Sequence, residues 1–293
     1  LTARALPAQK VTRAGLPVGG FWIAPPLLFL CFLFFYPLSL IVSQALTGSE
    51  RTLSLAHFAD VVGSALFESA LLHTIEIAVT ASVGCLVLGF AIALVLSFVP
   101  FPGSREIARF IDIFIALPTF LIALAFTFVY GSAGVLNSAL MGSLHLATPP
   151  VDFLYSPWGV ILAEVTVYTP FVIRPLLAAF SLIEVSQIEV ASSLGAGAWR
   201  IVREIILPAA LPALLAGGSL CLLLTVNEFG IVLFIGAKGV VTLPLLVYDK
   251  AIQEFDYTSA CAIAVINVAL SLSLYSLYRL LVTRFGGSRA GLV

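Results

Sequence analysis

The chain is poor in charge. Only 10% of its 293 residues are Asp, Glu, Lys or Arg, against 61% hydrophobic. A soluble domain needs about 25% charged residues to cover a water-facing surface, so this composition excludes one. The net charge of −1 gives no basic footprint for nucleic acid. Four cysteines (Cys31, Cys85, Cys221, Cys261) each sit in an apolar run with no CxxC spacing, which points to packing, not to metal or redox chemistry. His57, His73 and His145 are scattered, without metal-ligand spacing. The sequence also lacks a GxxxxGK[ST] phosphate loop, a Glu-x-x-His zinc pattern and a GxSxG elbow. No metal, cofactor or catalytic residue is therefore expected on this chain, and a membrane enzyme is disfavoured.

Apolar length is plentiful. A bilayer core of ~30 Å takes about 20 apolar residues in a helix. Six runs qualify: Phe21–Leu46, Leu71–Val99, Ile107–Tyr130, Trp158–Phe180, Ala209–Ile235 and Ser259–Val282. The first is longer than the roughly 7–15-residue core of a signal peptide and is read as a retained span. The expected fold is an all-α integral membrane protein with six transmembrane helices. Its domain would cover 21–283, between an N-terminal segment 1–20 and a tail 284–293. With the N-terminus inside, eleven lysines and arginines fall on the inner side. Arg51, Lys238 and Lys250 fall outside. The excess of inner positive charge puts both termini in the cytoplasm. No internal repeat is visible, which weighs against a self-contained secondary transporter or channel.

Ionisable groups within spans are costly and are functional candidates. His73 and Glu76 lie near an outer end, where they can reach water. Asp112 and Arg174 lie at similar inner depth and read as a structural ion pair. Glu164 has Tyr168 four residues on, on the same helical face. Asn227 and Glu228 lie in TVNEFG, a polar segment with a glycine, of the kind found at membrane depth only where it lines a cavity or packs on protein. These four are the candidate pathway residues, with packing between helices as the alternative. Pro118, in ALPTF, removes a backbone donor and is expected to kink the third span.

The inner stretch 184–208 is long and polar. Glu184–Gly195 reads as a helix, and Gly195 and Gly197 permit a sharp turn. Helical spacing resumes at Ala198, with Trp199, Val202 and Ile206 on one face. Pro208 suits the first turn of a helix and is expected to open the fifth span.

Residues Glu189–Pro208, EVASSLGAGAWRIVREIILP, resemble the EAA loop of ABC importer permeases. That pattern is E-A-A-x-x-x-G, nine residues, then I-x-L-P. Glu189, Ala191, Gly195, Ile205, Leu207 and Pro208 match, and Val190 replaces the first alanine. The resemblance implies a coupling helix docked on a separate ATPase. Glu189 would brace the loop, Gly195 make the elbow, and Ala196, Gly197, Ala198 and Trp199 meet the ATPase. Arg200 and Arg203 would pair with its acids or with lipid phosphates. The implied partners are two ATPase subunits that use ATP and Mg, a second permease, identical or homologous, a periplasmic solute-binding protein and membrane lipid, in a bacterial inner membrane. Residues 114–134, 149–156, 159–170 and 217–240 are similar to permeases of 2-aminoethylphosphonate importers. The architecture is shared with permeases for iron, spermidine/putrescine, thiamine and sulfate.

Overall fold

The computed structural model describes residues 19–47 and 56–285. Arg51, most of segment 1–20 and the tail beyond 285 lie outside the described residues. All regular elements among the described residues are helices, and six segments are long and apolar enough to cross a membrane.

The first span is α1 (Gly19–Leu30), a π-helical turn (Cys31–Phe35) and α2 (Tyr36–Ala45). The short α3 (Ala56–Val62) precedes α4 (Ala65–Phe98), the second span. Ser64 caps α4 with its hydroxyl, which accepts from the Phe67 N–H at 3.2 Å. That cap starts the helix six residues before the apolar run suggested.

The third span departs from expectation. Instead of one kinked helix over 107–130 there are two, α5 (Ser104–Ala116) and α6 (Thr119–Tyr130), separated by extended backbone at Leu117 and Pro118. Pro118 lacks an N–H and pushes Leu117 out of the helical region, so the break is complete. A further helix, α7 (Val135–Leu144), occupies part of the expected outer loop. The span long enough to cross is Thr119–Leu144, α6 and α7 together. Asn137 orders this outer connection by donating to the Gly131 and Val151 carbonyls at 2.9 and 2.8 Å.

The fourth span, α8 (Pro157–Phe180), is the centre of the core. It packs against α4 and against α11 (Leu207–Val226). Two glycines allow that approach. A Cβ on Gly89 of α4 would sit 2.9 Å from the Val172 side chain, and one on Gly217 of α11 would sit 3.0 Å from the Val172 Cα. Small residues of this kind let helix backbones meet closely in membranes. Cys85 and Cys221 are buried in this core, whereas Cys31 is exposed. Packing therefore explains the buried pair and not Cys31.

Pro208 does not open a separate helix. Helix α9 (Val185–Ser193) is followed by α10 (Ala198–Ile201), a π turn (Val202–Ile206) and α11, and the run 198–226 is continuous. In the π turn the Leu207 N–H bonds to the Val202 carbonyl. The proline ring would clash with the carbonyl of Glu204, four residues back, and offers it no hydrogen. Widening the preceding turn relieves both problems. The same arrangement precedes Pro37, where the Tyr36 N–H bonds to the Cys31 carbonyl.

The fifth span also breaks. Helix α11 ends at Val226, and α12 (Gly230–Ile235) starts after Asn227, Glu228 and Phe229. The connection between the fifth and sixth spans then carries α13 (Leu243–Tyr248) and a π turn (Asp249–Gln253) before the last span, α14 (Tyr257–Phe285). His73 does not simply reach for water. Its Nδ1 lies 3.3 Å from the Val241 carbonyl oxygen, and Thr74 accepts from the Leu243 N–H at 2.8 Å. Together they pin this connection to α4, while Glu76 is exposed.

Candidate functional site: a bracketed helix break and an inner loop

The breaks of the third and fifth spans face one another across Glu228. Its Oε1 accepts from the Ile231 N–H at 2.8 Å, in the first turn of α12, and from the Thr119 hydroxyl at 3.2 Å, at the start of α6. Its Oε2 accepts from the Tyr168 hydroxyl of α8. One carboxylate thus holds three elements, and it is only 7% exposed. Helix starts leave N–H groups without intrahelical partners, and hydrogen bonds to a charged acceptor are the strong kind. Gly230 leaves room for the bracket, since a Cβ there would sit 3.1 Å from the Thr119 hydroxyl oxygen and 3.3 Å from Glu228 Oε1.

A cavity of about 350 Å³ opens beside the bracket, lined by residues that include Leu117, Thr119, Tyr168, Leu224, Asn227 and Glu228. Three of the four candidate pathway residues therefore line one cavity. Asn227 is also tied to α14. It donates to Ser271 at 3.2 Å and accepts from Asn267 at 3.0 Å. Glu164 is not in the lining. It is 0% exposed, and neither of its carboxylate oxygens has a hydrogen-bond partner among the described residues. Although Tyr168 lies one turn on from Glu164, its hydroxyl goes to Glu228. Thr119, Asn267 and Ser271 were missed in the sequence. Thr119 could have been found, since a hydroxyl residue directly after a helix-breaking proline is placed at a helix start.

Asp112 and Arg174 form the expected ion pair, joining α5 to α8. It helps to hold the inner half of the broken third span against the core.

At the loop 184–208, α9 closes on a Schellman motif. The Ala196 N–H bonds to the Ala191 carbonyl and the Gly195 N–H to the Ser192 carbonyl, both at 3.0 Å. Gly195 has φ +87°, the left-handed conformation this motif needs. The motif fixes the glycine at 195, while the carbonyl it uses at 191 could come from any residue; Ala191 itself packs against the core. Gly197 has φ −72° and no neighbour that a Cβ would strike. Only one of the two glycines is therefore required by the backbone. Gly197→Ala is expected to leave assembly and uptake within about twofold of the parent, since it swaps a flexible residue for one that fits the observed φ. Uptake by cells carrying the variant checks this.

Glu189 does not brace the loop through its side chain. It is exposed and has no hydrogen bond or ion pair among the described residues, so the bracing comes from the Schellman backbone bonds. Ile188, Ala191, Ala196, Ile205 and the buried Ile201 and Ile206 pack inward on the core. Val190 and Leu194 point outward, Leu194 with 82% exposure. Arg200 pairs with Glu204 at 3.4 Å, and Arg203 is exposed. Leu207 and Pro208 carry the run into α11. The loop is thus a short apolar tip on a base tied to the core.

A discontinuous pair of spans around a cavity, with the loop 184–208 packed on the same core, suits a membrane transport subunit. Residues 85–287 match the family described as binding-protein-dependent transport system inner membrane component. The chain belongs to that family. It is a multi-pass inner-membrane permease of an ABC importer and is not itself catalytic.

Its relatives are more particular. It is 63% identical, over 90% of its length and 92% of theirs, to the Salmonella paratyphi A protein named "Putative 2-aminoethylphosphonate transport system permease protein PhnU". It is 31% identical, over 94% of its length and 96% of theirs, to the sulfate transport system permease protein CysT of Salmonella typhimurium. Among solved structures, a chain of a bacterial alginate ABC transporter in complex with an alginate pentasaccharide-bound periplasmic protein superposes with TM-score 0.77. That match has 17% identity and covers 92% of this chain and 96% of that one, so it speaks to fold alone.

Proposed function

We propose that the protein forms half of the translocation pathway of an importer for 2-aminoethylphosphonate or a related phosphonate. The observation that carries the substrate reading is the 63% identity, over nine tenths of the chain, to the relatives bearing that name. The permease domain is 21–283, with both termini cytoplasmic. It pairs with a second permease, identical or homologous, and works with two ATPase subunits and a periplasmic solute-binding protein. This chain holds no cofactor of its own, and ATP and Mg are used on the ATPase chains.

The loop 184–208 is the mechanical link. Its outward apolar residues, Val190 and Leu194, and the turn Gly195–Ala198 enter a groove of the ATPase. Glu189 lies on the same exposed side and pairs with the ATPase, not with its own loop. Because Ile201, Ile205 and Ile206 belong to the same apolar core as α8 and the run 198–226 is continuous with α11, displacement of the tip moves the core helices. Tyr168 lies on α8, and Asn227 and Glu228 directly follow α11, so the motion reaches the cavity. Glu228 and Asn227 line the pathway, and Glu164 stands behind it. The carboxylate of Glu228 suits the ammonium end of a zwitterionic phosphonate.

The test is ATPase stimulation of the reconstituted complex by its binding protein, loaded in turn with 2-aminoethylphosphonate, sulfate, thiamine and spermidine. Several-fold stimulation by the phosphonate alone is expected. Stimulation by another solute and not by the phosphonate overturns the substrate reading and leaves the coupling reading standing.

A further inference from the structure

One buried carboxyl group has no task in the transport reading. Glu164 is 0% exposed, and both its oxygens lack a hydrogen-bond partner among the described residues. A buried polar group left unpartnered is costly, and native structures hold few of them. Ionisable groups inside a membrane protein are functional candidates by default. The place of Glu164 on α8 points to its task. Tyr168 is four residues on, a rise of about 6 Å on the same helical face. Long side chains on a helix lean back toward its N-terminal end, which directs the Tyr168 ring toward the turn that carries Glu164.

The Glu228 bracket divides into two parts. Oε1 holds the starts of α6 and α12, through the Thr119 hydroxyl and the Ile231 N–H. These two helices also meet through the Phe120 and Phe234 rings, whose centroids are 5.4 Å apart. Oε2 holds Tyr168 of α8. Loss of the Tyr168 bond therefore frees Glu228 Oε2 and leaves both helix starts held by Oε1. The cavity borders Val167, Tyr168 and Phe171 on α8, so the ring has open space beside it. Release needs only a new acceptor for the hydroxyl, since a stranded buried O–H is costly too. The unused oxygens of Glu164, one turn away and outside the cavity lining, are such an acceptor.

We infer that Glu164 is a positioning residue for opening the bracket: during transport the Tyr168 hydroxyl passes from Glu228 to Glu164. The exchange keeps a hydrogen bond on Tyr168 in both states and turns Glu228 Oε2 over to the cavity. The role rests on the reading of Glu228 as a pathway residue that takes the ammonium of the solute, and it supplies the step by which that oxygen becomes vacant.

The test compares the parent, Glu164→Leu, Tyr168→Phe and the double variant in the reconstituted complex. Leucine removes both unpartnered acceptors, so Glu164→Leu is expected to melt no lower than the parent. Its uptake of 2-aminoethylphosphonate should still fall at least tenfold, roughly the effect of one stranded buried hydroxyl. Phenylalanine at 168 has no hydroxyl to rehouse. The double variant should therefore stay within about twofold of Tyr168→Phe alone, as strongly coupled neighbours do, and transport better than Glu164→Leu. A second readout needs no solute. A fluorotyrosine at 168 should give one fluorine resonance at rest and another when the complex is trapped with ATP, Mg and vanadate. Glu164→Leu should move only the second. Parental uptake by Glu164→Leu overturns the proposal, as does a double variant whose losses multiply, or a resonance unmoved by trapping. A parent that takes up no phosphonate overturns the substrate reading alone, and the fluorine signals still decide the handoff.

Discussion

Gly195→Val is expected to lower ATP-driven uptake at least tenfold while the chain still inserts and assembles. The reason is local. Gly195 sits at φ +87° with nothing within 4 Å of a would-be Cβ, so the penalty is in the backbone and not in a clash. An L residue in the left-handed region costs about 1–2 kcal/mol, and a β-branched one sits at the upper end. At 1.4 kcal/mol per factor of ten, about 2 kcal/mol shifts the loop's equilibrium roughly thirtyfold away from the observed form. The alternative conformers break the bonds to the Ala191 and Ser192 carbonyls and swing Leu194 away. Nothing in the membrane core touches this position, so the spans are spared. Asn tolerates the left-handed region better than other side chains. Uptake should therefore fall in the order Gly, Asn, Ala, Val. Transport into proteoliposomes, read beside assembly by size exclusion, checks the series. A valine variant with parental uptake would remove the loop from the coupling path.

The second large effect is at Glu228. Alanine there leaves three donors without an acceptor, the Ile231 N–H and the Thr119 and Tyr168 hydroxyls. Each buried unsatisfied group costs about 1–3 kcal/mol, although the hydroxyls can turn to other acceptors. A net loss of about 3–5 kcal/mol is expected on that basis, a large part of typical stability. Glu228→Ala should therefore assemble poorly and transport at least a hundredfold less. Glutamine separates geometry from charge. Its Oε1 keeps the Ile231 and Thr119 bonds, and its amide can donate to the Tyr168 oxygen. Glu228→Gln should assemble normally and still transport at least tenfold less, because the negative charge at the cavity is gone. Tyr168→Phe removes one bond of about 1 kcal/mol and should cost only a few-fold. Expression, thermal stability and uptake of the three variants check this ordering. Parental uptake by Glu228→Gln would leave Glu228 a bracket and take it out of the pathway.

Much of this was legible in the chain because it is local. Apolar run lengths located the spans apart from the third, which the structure moves to Thr119–Leu144, and the polar TVNEFG segment marked a special position in the fifth. The spacing of Ala191, Gly195 and Pro208 located the inner loop. The unread features are those set by distant partners or by how the backbone absorbs a constraint. The sequence shows Pro118 and Pro208 alike. One ends a helix outright, and the other is absorbed by a π turn inside a continuous run. The difference lies in the residue before each proline. Leu117 is extended, while Leu207 stays helical within a run anchored by buried Ile201 and Ile206. That Tyr168 serves Glu228, sixty positions away, and leaves Glu164 unpartnered has no signature in the spacing of Glu164 and Tyr168.

The most direct test of the coupling claim is a contact. Leu194→Cys should be made in the assembled complex, with the parent chain as control for its own cysteines. With a short bifunctional thiol reagent, the variant is expected to cross-link to the ATPase chain. The introduced thiol should also resist a membrane-impermeant maleimide added from the cytoplasmic side until the ATPase is stripped off. A Leu194→Cys variant that labels freely in the intact, active complex and never cross-links to the ATPase would contradict the account.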